Sequence, residues 1–269
     1  MSNPKNNNII KTSISSAGIL RIILNNSINH NVLSEEMMFN FQSILDLSIK
    51  NTKIRVIIIS ANGPTFSAGH DLKELSIGRL NSGKGKKYFK KIMSQCSKLM
   101  QSIVNNPKPV IAEVAGVATA AGCQLVASCD LAYAGKSARF ATPGVNIGLF
   151  CSTPMVALSR NVSTKNSMEM LLTGDLITSS QAAKIGLINE IVNDDVLQNF
   201  VLDKAQKISK KSAITLKIGK EAFYKQLDMT LSKAYDYASN VMVKNMLKLD
   251  AEEGIDAFIN KRAPSWQDK

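Results

Sequence analysis

Two short stretches of this chain combine small residues with the expected start of a helix, an arrangement that leaves backbone N–H groups free to bind an anion. In Phe66-Ser67-Ala68-Gly69-His70-Asp71-Leu72-Lys73-Glu74-Leu75 an apolar run ends, small residues follow and a helix begins near Asp71. The same succession recurs in Val114-Ala115-Gly116 followed by Thr119-Ala120-Ala121-Gly122-Cys123-Gln124-Leu125, whose side chains are small enough for a ligand to approach the backbone. One such turn is common in α/β proteins. Two could hold a developing oxyanion with a pair of amide donors, provided that the fold turns them toward each other, which spacing does not decide.

Other candidates have plainer readings. Gly78-Arg79-Leu80-Asn81-Ser82-Gly83-Lys84-Gly85 nearly matches a phosphate-binding loop. However, Gly85 stands where Ser or Thr would hold magnesium, and a Lys-Glu-Leu helix precedes it where a strand should. A flexible, basic, mobile loop is the expectation. Asp71 with Glu74, and Asp194 with Asp195, suit helix caps and first-turn acids better than a catalytic carboxylate pair. The chain has two histidines, His30 and His70, and four cysteines without a CxxC pair, so no metal site and no disulfide framework are expected. Cys151 has no evident base beside it and reads as packing.

Elements able to position the two turns can be traced along the chain. Ile19 to Leu24 and Ile54 to Ser60 are β-branched runs without polar alternation, as in strands buried on both faces. Between them Ser34, followed by Glu35 and Glu36, caps a helix carrying Met37, Phe41, Ile44 and Leu45 at helical spacing. Strand, helix, strand implies a βαβ unit and a parallel sheet. The pattern continues with a helix over Phe89 to Val104, a break at Asn106-Pro107-Lys108-Pro109 and a strand from Val110 to Val114. A short helix over Gly122 to Ser128 follows, then strands at Leu131 to Ala134 and Ile188 to Val192, the latter after a helix opened by Ser179 or Ser180. Beyond Asp194 the pattern is helical. The expected division is an α/β core over 1–195 and a helical part over 196–269.

Composition narrows the function classes. At 269 residues, 45% hydrophobic and 20% charged, the chain is too apolar for disorder and lacks a run long enough to span a bilayer. The net charge of +12 favours an anionic partner. The excess clusters in Arg79 to Lys98 and Lys204 to Lys225. Nucleic acid, anionic lipid, a phosphate-bearing cofactor and a merely solvated surface all fit that pattern. The start, MSNPKNNN, has neither an apolar leader nor an Arg-rich amphipathic pattern, and with reduced cysteines the expected compartment is the cytoplasm.

The two turns, in this order and spacing, resemble the signatures of the crotonase (enoyl-CoA hydratase/isomerase) superfamily. The resemblance continues through Phe140-Ala141-Thr142-Pro143-Gly144-Val145-Asn146-Ile147-Gly148, Leu172-Thr173-Gly174-Asp175 and Ala182 to Ile188, and ends at Phe258-Ile259-Asn260-Lys261-Arg262. FATPGVNIGLFCSTP and Phe223-Tyr224-Lys225-Gln226-Leu227 are similar to one subgroup in particular. The resemblance implies an α/β fold, a crotonase-like ββα spiral with a helical C-terminal trimerisation region, assembled as a homotrimer or a dimer of trimers. It implies an acyl-CoA thioester as ligand, with coenzyme A part of the substrate and no separate cofactor, metal or membrane. The thioester oxygen would accept from the amides of His70 and Ala121. Ala68, Gly69, Asp71, Leu72, Gly122 and Pro143 would line the substrate, and Lys261 would meet the CoA phosphates.

The resemblance also marks departures. A hydratase's two glutamates fall at Gln124, an amide, and Gly144, which has no side chain. General acid–base help is worth about 10²–10⁴ per group, so little hydratase activity is expected. Asn25-Asn26-Ser27-Ile28 replaces the usual Asn-Arg-Pro-Lys on the adenine side. A histidine at position 70 is similar to short-chain acyl-CoA decarboxylases, whose chemistry needs enolate stabilisation more than a strong base. The remaining alternatives are a CoA-thioester-binding protein without catalysis and, with few aromatics among the basic runs, an RNA-binding protein.

Overall fold

A computed structural model describes residues 9–269, so the Asn-rich start lies outside the described residues. Strands β1 (Ile10–Ile14) and β2 (Ile19–Leu24) pair as an antiparallel hairpin, and α1 (Glu35–Lys50) then leads to β3 (Val56–Ala61), which runs parallel to β2. The expected βαβ unit is therefore present. Ser34 does cap α1, its hydroxyl accepting from the Met37 amide at 3.1 Å. The chain then alternates between two sheets. The short strands β4 (Thr65–Ser67), β6 (Val117–Thr119), β8 (Arg139–Ala141) and β9 (Ile177–Thr178) form the second sheet. The longer β5 (Val110–Val114) and β7 (Leu131–Gly135), with β10 (Glu190–Val192), extend the first. The orders are β1-β2-β3-β5-β7-β10 and β4-β6-β8-β9. Each turn of this spiral gives one strand to each sheet and then a helix: α2 (Leu72–Gly78) and α3 (Lys86–Val104), α4 (Ala121–Ser128), and α5 (Pro154–Leu158) with α6 (Thr164–Thr173).

The apolar runs behave as their lack of alternation implies. In β3, Ile57 and Ile59 join the larger core, while Val56 and Ile58 face a second apolar layer with Ile19, Ile111 and Tyr133. That layer is closed by α8 (Leu197–Ser209), which lays Leu197, Val201 and Ala205 on the sheet at a spacing of four. A division at 195 thus separates the last strand from a helix that completes the core. The following helices, α9 (Ala213–Gln226), α10 (Leu231–Met246) and α11 (Leu249–Ile259), lie outside that layer, and α9 and α10 have no buried residue.

What ties α9 to the core is a buried ionic contact. Asp130, just before β7, accepts from the Val110 amide (2.7 Å), from Lys220 Nζ (2.7 Å) and from the Tyr224 hydroxyl (2.9 Å). Lys220 also donates to the carbonyls of Ile103 and Lys108. Every oxygen and proton in this cluster has a partner, the condition under which buried charge is tolerated.

Several expectations are corrected here. The stretch from Gly78 to Gly85 is not an irregular loop: α2 runs through Gly78, a 3₁₀ turn spans Ser82–Gly85, and Gly85 packs against the Gly78 carbonyl. The helix after β9, α7 (Ser179–Lys184), is opened by Thr178, whose side chain and that of Gln181 form a capping box. Neither the hairpin partner β1 nor the short strands of the second sheet follow from the sequence pattern. No helix among the described residues is long and apolar enough to cross a membrane.

Candidate functional site

The first turn is set by the segment before it. Ala68 donates to the His30 carbonyl and Leu33 donates to the Gly69 carbonyl, with Leu33 and His70 forming an isolated parallel bridge. His30 itself is held by Thr65, 3.1 Å from its Nδ1. Asp71 ends the turn as the cap of α2, its Oδ1 accepting from the amides of Lys73 and Glu74. Glu74 in turn accepts from the Glu35 amide at the start of α1. Asp71 and Glu74 are therefore helix caps, as their positions suggested.

The second turn carries strain. Ala120 sits at φ 50°, ψ −119°, a glycine-type conformation held by its amide donating to the Ala141 carbonyl at 2.9 Å. Such a residue costs about 1–3 kcal/mol and persists only where its surroundings over-determine it. The next residue, Ala121, is the first of α4. Neither its amide nor that of His70 has an acceptor among the described residues.

Glycines from each turn lock the two together. A Cβ at Gly69, where φ is +87°, would lie 2.9 Å from the Ala120 Cβ and 3.0 Å from the Ala121 nitrogen. A Cβ at Gly122 would lie 2.1 Å from the Ser67 carbonyl oxygen. Only bare backbone allows this approach, which sets Gly69, the residue before His70, directly against Ala121.

Side chains around that place are polar and neutral. Both ring nitrogens of His70 are buried without a hydrogen-bond partner. Burial pulls the His70 pKa below its ordinary value and outweighs the opposing pull of the Leu33 carbonyl, which lies near the ring without meeting either nitrogen in hydrogen-bond geometry, so the uncharged ring is favoured. Gln124 is 5% exposed and its Oε1 has no partner; Thr142 is 1% exposed and its hydroxyl has none. Gly144 lies in a 3₁₀ turn opened by Pro143, and a Cβ there would meet the Leu149 carbonyl at 2.7 Å and Cys151 Sγ at 2.9 Å. Burial pushes the Cys151 thiol up, opposed by the Gly144 amide, and Cys123 rises to about 12, so neither is a thiolate at neutral pH.

The remaining expected residues are placed less closely. Ala68 and the exposed Leu72 flank the first turn. Lys261 follows α11 at φ 53°, and no hydrogen bond or ion pair joins it to the site. Lys84, Lys86 and Lys87 are exposed beside the start of α3. A groove of about 590 Å³ lined by Ile49, Met93, Ser97, Lys98 and Ser102 includes none of these residues in its wall. No cluster able to hold a metal occurs among the described residues. Thr142 was missed in the sequence, where nothing distinguishes it from any other hydroxyl after a strand.

Comparison with known proteins agrees with this architecture. The family model for enoyl-CoA hydratase/isomerase matches residues 15–269, and the chain belongs to that family, within the crotonase superfamily. The subgroup singled out by FATPGVNIGLFCSTP is the enoyl-CoA hydratase domain-containing protein 3 type. The Rattus norvegicus protein of that name is 47% identical over 249 residues, covering 93% of this chain and 81% of the relative. The crystal structure of the human one superposes with a TM-score of 0.91 at 46% identity, covering 96% of this chain and all of that one. An enoyl-CoA hydratase structure from Mycobacterium smegmatis gives 0.91 at 39% identity, covering 96% and 98%.

The cytoplasmic expectation is overturned. The rat, mouse and human relatives, each 47% identical, are named mitochondrial, which points to that organelle instead. The expectation leaned on the residue types at the start of the sequence and on reduced cysteines, and the latter exclude only an oxidising compartment.

Proposed function

We propose that the chain binds an acyl-CoA thioester whose carbonyl oxygen accepts from the amides of His70 and Ala121, so that a thioester enolate or oxyanion is stabilised. The observation that supports this reading is the contact of Gly69 with Ala120 and Ala121, which sets the turn before His70 against the start of α4. Preorganised donors of this kind supply a large share of catalysis wherever charge develops on oxygen. Classical hydration stays slow, because Gln124 can orient a water but cannot take its proton and Gly144 has no side chain. Binding of butyryl-CoA by calorimetry is the direct test. No heat at millimolar ligand would refute the reading.

Decarboxylation of a short-chain carboxyacyl-CoA is the second reading, favoured by the unpartnered His70 ring beside the amide pair. Release of carbon dioxide from malonyl-CoA or methylmalonyl-CoA, measured directly, decides it. RNA binding draws no support, because several residues of the basic runs already have partners. Lys91 pairs with Glu35, Lys220 with Asp130 and Lys204 with Glu190, while Lys225 lies over Tyr237.

Self-association into a trimer or a dimer of trimers completes the proposal. It is supported by the large apolar side chains of Phe223, Leu231, Tyr235, Met242 and Phe258 exposed on α9–α11, surface that self-association would cover. Sedimentation showing a monomer at micromolar concentration would remove this part.

A further inference from the structure

Where α2 meets α3, apolar and basic side chains share a surface that neither the thioester site nor the exposed face of α9–α11 uses. Ile77 and Leu80, at the end of α2 and just beyond it, are 67% and 85% exposed. Between Glu74 and Glu113 the chain has eight Lys and Arg residues and no Asp or Glu. Of the eight, Arg79, Lys84, Lys86, Lys87 and Lys90 are exposed and have no ion pair among the described residues.

Glycines hold these residues together. A Cβ on Gly85 would stand 2.3 Å from the Gly78 carbonyl oxygen and 3.0 Å from the Arg79 Cα, and one on Gly78 would meet the Tyr88 ring at 2.2 Å. The end of α2 is therefore fastened to the start of α3, with the Arg79 guanidinium 5.7 Å over the Phe89 ring. Leu80 donates its amide to the Ile77 carbonyl, so the two apolar side chains leave one tight turn. On α3, Lys86 and Lys90 are one helical turn apart. Acids on the flanking elements are already engaged: Asp71 caps α2, Glu74 accepts from the Glu35 amide, and Glu35 pairs with Lys91. The positive charge around the apolar pair is thus left unbalanced.

That combination selects a partner. A bilayer with anionic headgroups offers phosphates to the cations and an apolar layer to Ile77 and Leu80. RNA supplies phosphates but stacks its bases on aromatic rings, and gives aliphatic side chains nothing to bury in. A second copy of the chain docking through the same patch would set like charges against like. The phosphates of CoA would engage the lysines alone.

We propose that the junction of α2 and α3 is a docking surface for an anionic bilayer, with Ile77 and Leu80 entering the headgroup region and the surrounding Lys and Arg side chains meeting lipid phosphates. Contact of this kind is peripheral, since no helix among the described residues is long and apolar enough to cross a membrane. The resemblance to crotonases does not imply such a surface, which holds or fails separately from the thioester reading.

The test is co-sedimentation of the full chain with vesicles of phosphatidylcholine alone and of phosphatidylcholine with about one third phosphatidylglycerol. The wild type should partition at least about tenfold more strongly onto the anionic vesicles, and added salt should narrow the difference. Arg79→Gln with Lys90→Gln should weaken that binding at least about tenfold, since each basic side chain near such a surface contributes about fivefold. Ile77→Ser with Leu80→Ser should weaken it about tenfold through lost apolar burial, while Lys84, Lys86 and Lys87 stay in place for CoA. All four side chains are exposed, so both variants should melt with the wild type, and the comparison of vesicles needs no variant. Equal binding to the two vesicle types, or undiminished binding by either double variant, would overturn the proposal. So would a lower sedimentation coefficient for Ile77→Ser with Leu80→Ser in the absence of lipid, which would assign the patch to a contact between copies. Poly(U) RNA held by a wild type that ignores anionic vesicles would assign it to nucleic acid.

Discussion

Replacing Gly69 with alanine tests whether the contact between the two turns aligns the amide pair. Two costs are expected. An L-residue at φ +87° is strained by about 1–2 kcal/mol. The added methyl must also displace the Ala120 Cβ at 2.9 Å or the Ala121 nitrogen at 3.0 Å, and overpacking of this kind costs about 1–3 kcal/mol. Gly83→Ala separates the two terms, because Gly83 has φ +65° with nothing within 4 Å of a Cβ. It should lose only the first. At about 2–4 °C per kcal/mol for a chain of this size, Gly69→Ala should melt at least about 2 °C below Gly83→Ala. The functional readout is the enolate of bound acetoacetyl-CoA, followed by its ultraviolet absorbance. A hydrogen bond to a charged acceptor is worth about 1.5–3 kcal/mol, so displacing the Ala121 donor should lower the bound enolate by about tenfold to a hundredfold. Gly83→Ala should leave it unchanged. If the two variants melt together and carry equal enolate, the glycine contact does not set the donor geometry.

Three other outcomes are expected. Gly144→Glu should be destabilised by collision with the Leu149 carbonyl and Cys151 Sγ rather than by φ, so Gln124→Glu with Gly144→Glu should restore little crotonyl-CoA hydration and should melt below wild type; brisk hydration by either unmodified or doubly substituted protein would contradict this. Neutralising Lys84, Lys86 and Lys87 together should weaken CoA thioesters more than their pantetheine analogues, which lack the nucleotide phosphates; equal weakening would remove these lysines from phosphate binding. Because His70 is held below its ordinary value of 6.5, the unfolded chain takes up a proton near pH 6.5 that the folded chain refuses. Stability should therefore fall as pH drops below about 6.5 and level off once the folded ring also titrates. Chemical denaturation of His70→Gln across that range should show a flatter profile, and an unchanged slope would refute the assignment.

How far the sequence could be read depended on what each residue's signal was made of. The strand Val56–Ala61 announces itself because it is buried along almost its whole length and has no polar alternation. Thr65–Ser67 and Arg139–Ala141 are three residues each, too short for any period to register, so the second sheet was invisible. Residue types at the two turns were legible, as were the missing acids at Gln124 and Gly144. Their convergence was not, because it arises from Gly69 and Gly122 touching backbone about fifty positions away. Ala120 gives no sign of its positive φ, since alanine there disguises a glycine conformation. That geometry also spoils Ala121→Pro as a probe: a residue before proline must stay near extended backbone, and Ala120 is far from it.

The cluster at Asp130 has a bearing on how the newly made polypeptide matures. Asp130 leaves the ribosome ninety residues ahead of Lys220 and ninety-four ahead of Tyr224. Throughout that interval its carboxylate has the Val110 amide but no cation. A charge in that condition keeps water around it, so β5 and β7 cannot close dry at this end until α9 has been synthesised and docked. Chains interrupted before residue 220 are left with a wet seam at the end where β5 meets β7, the kind of exposed, half-finished surface that chaperones and proteases recognise.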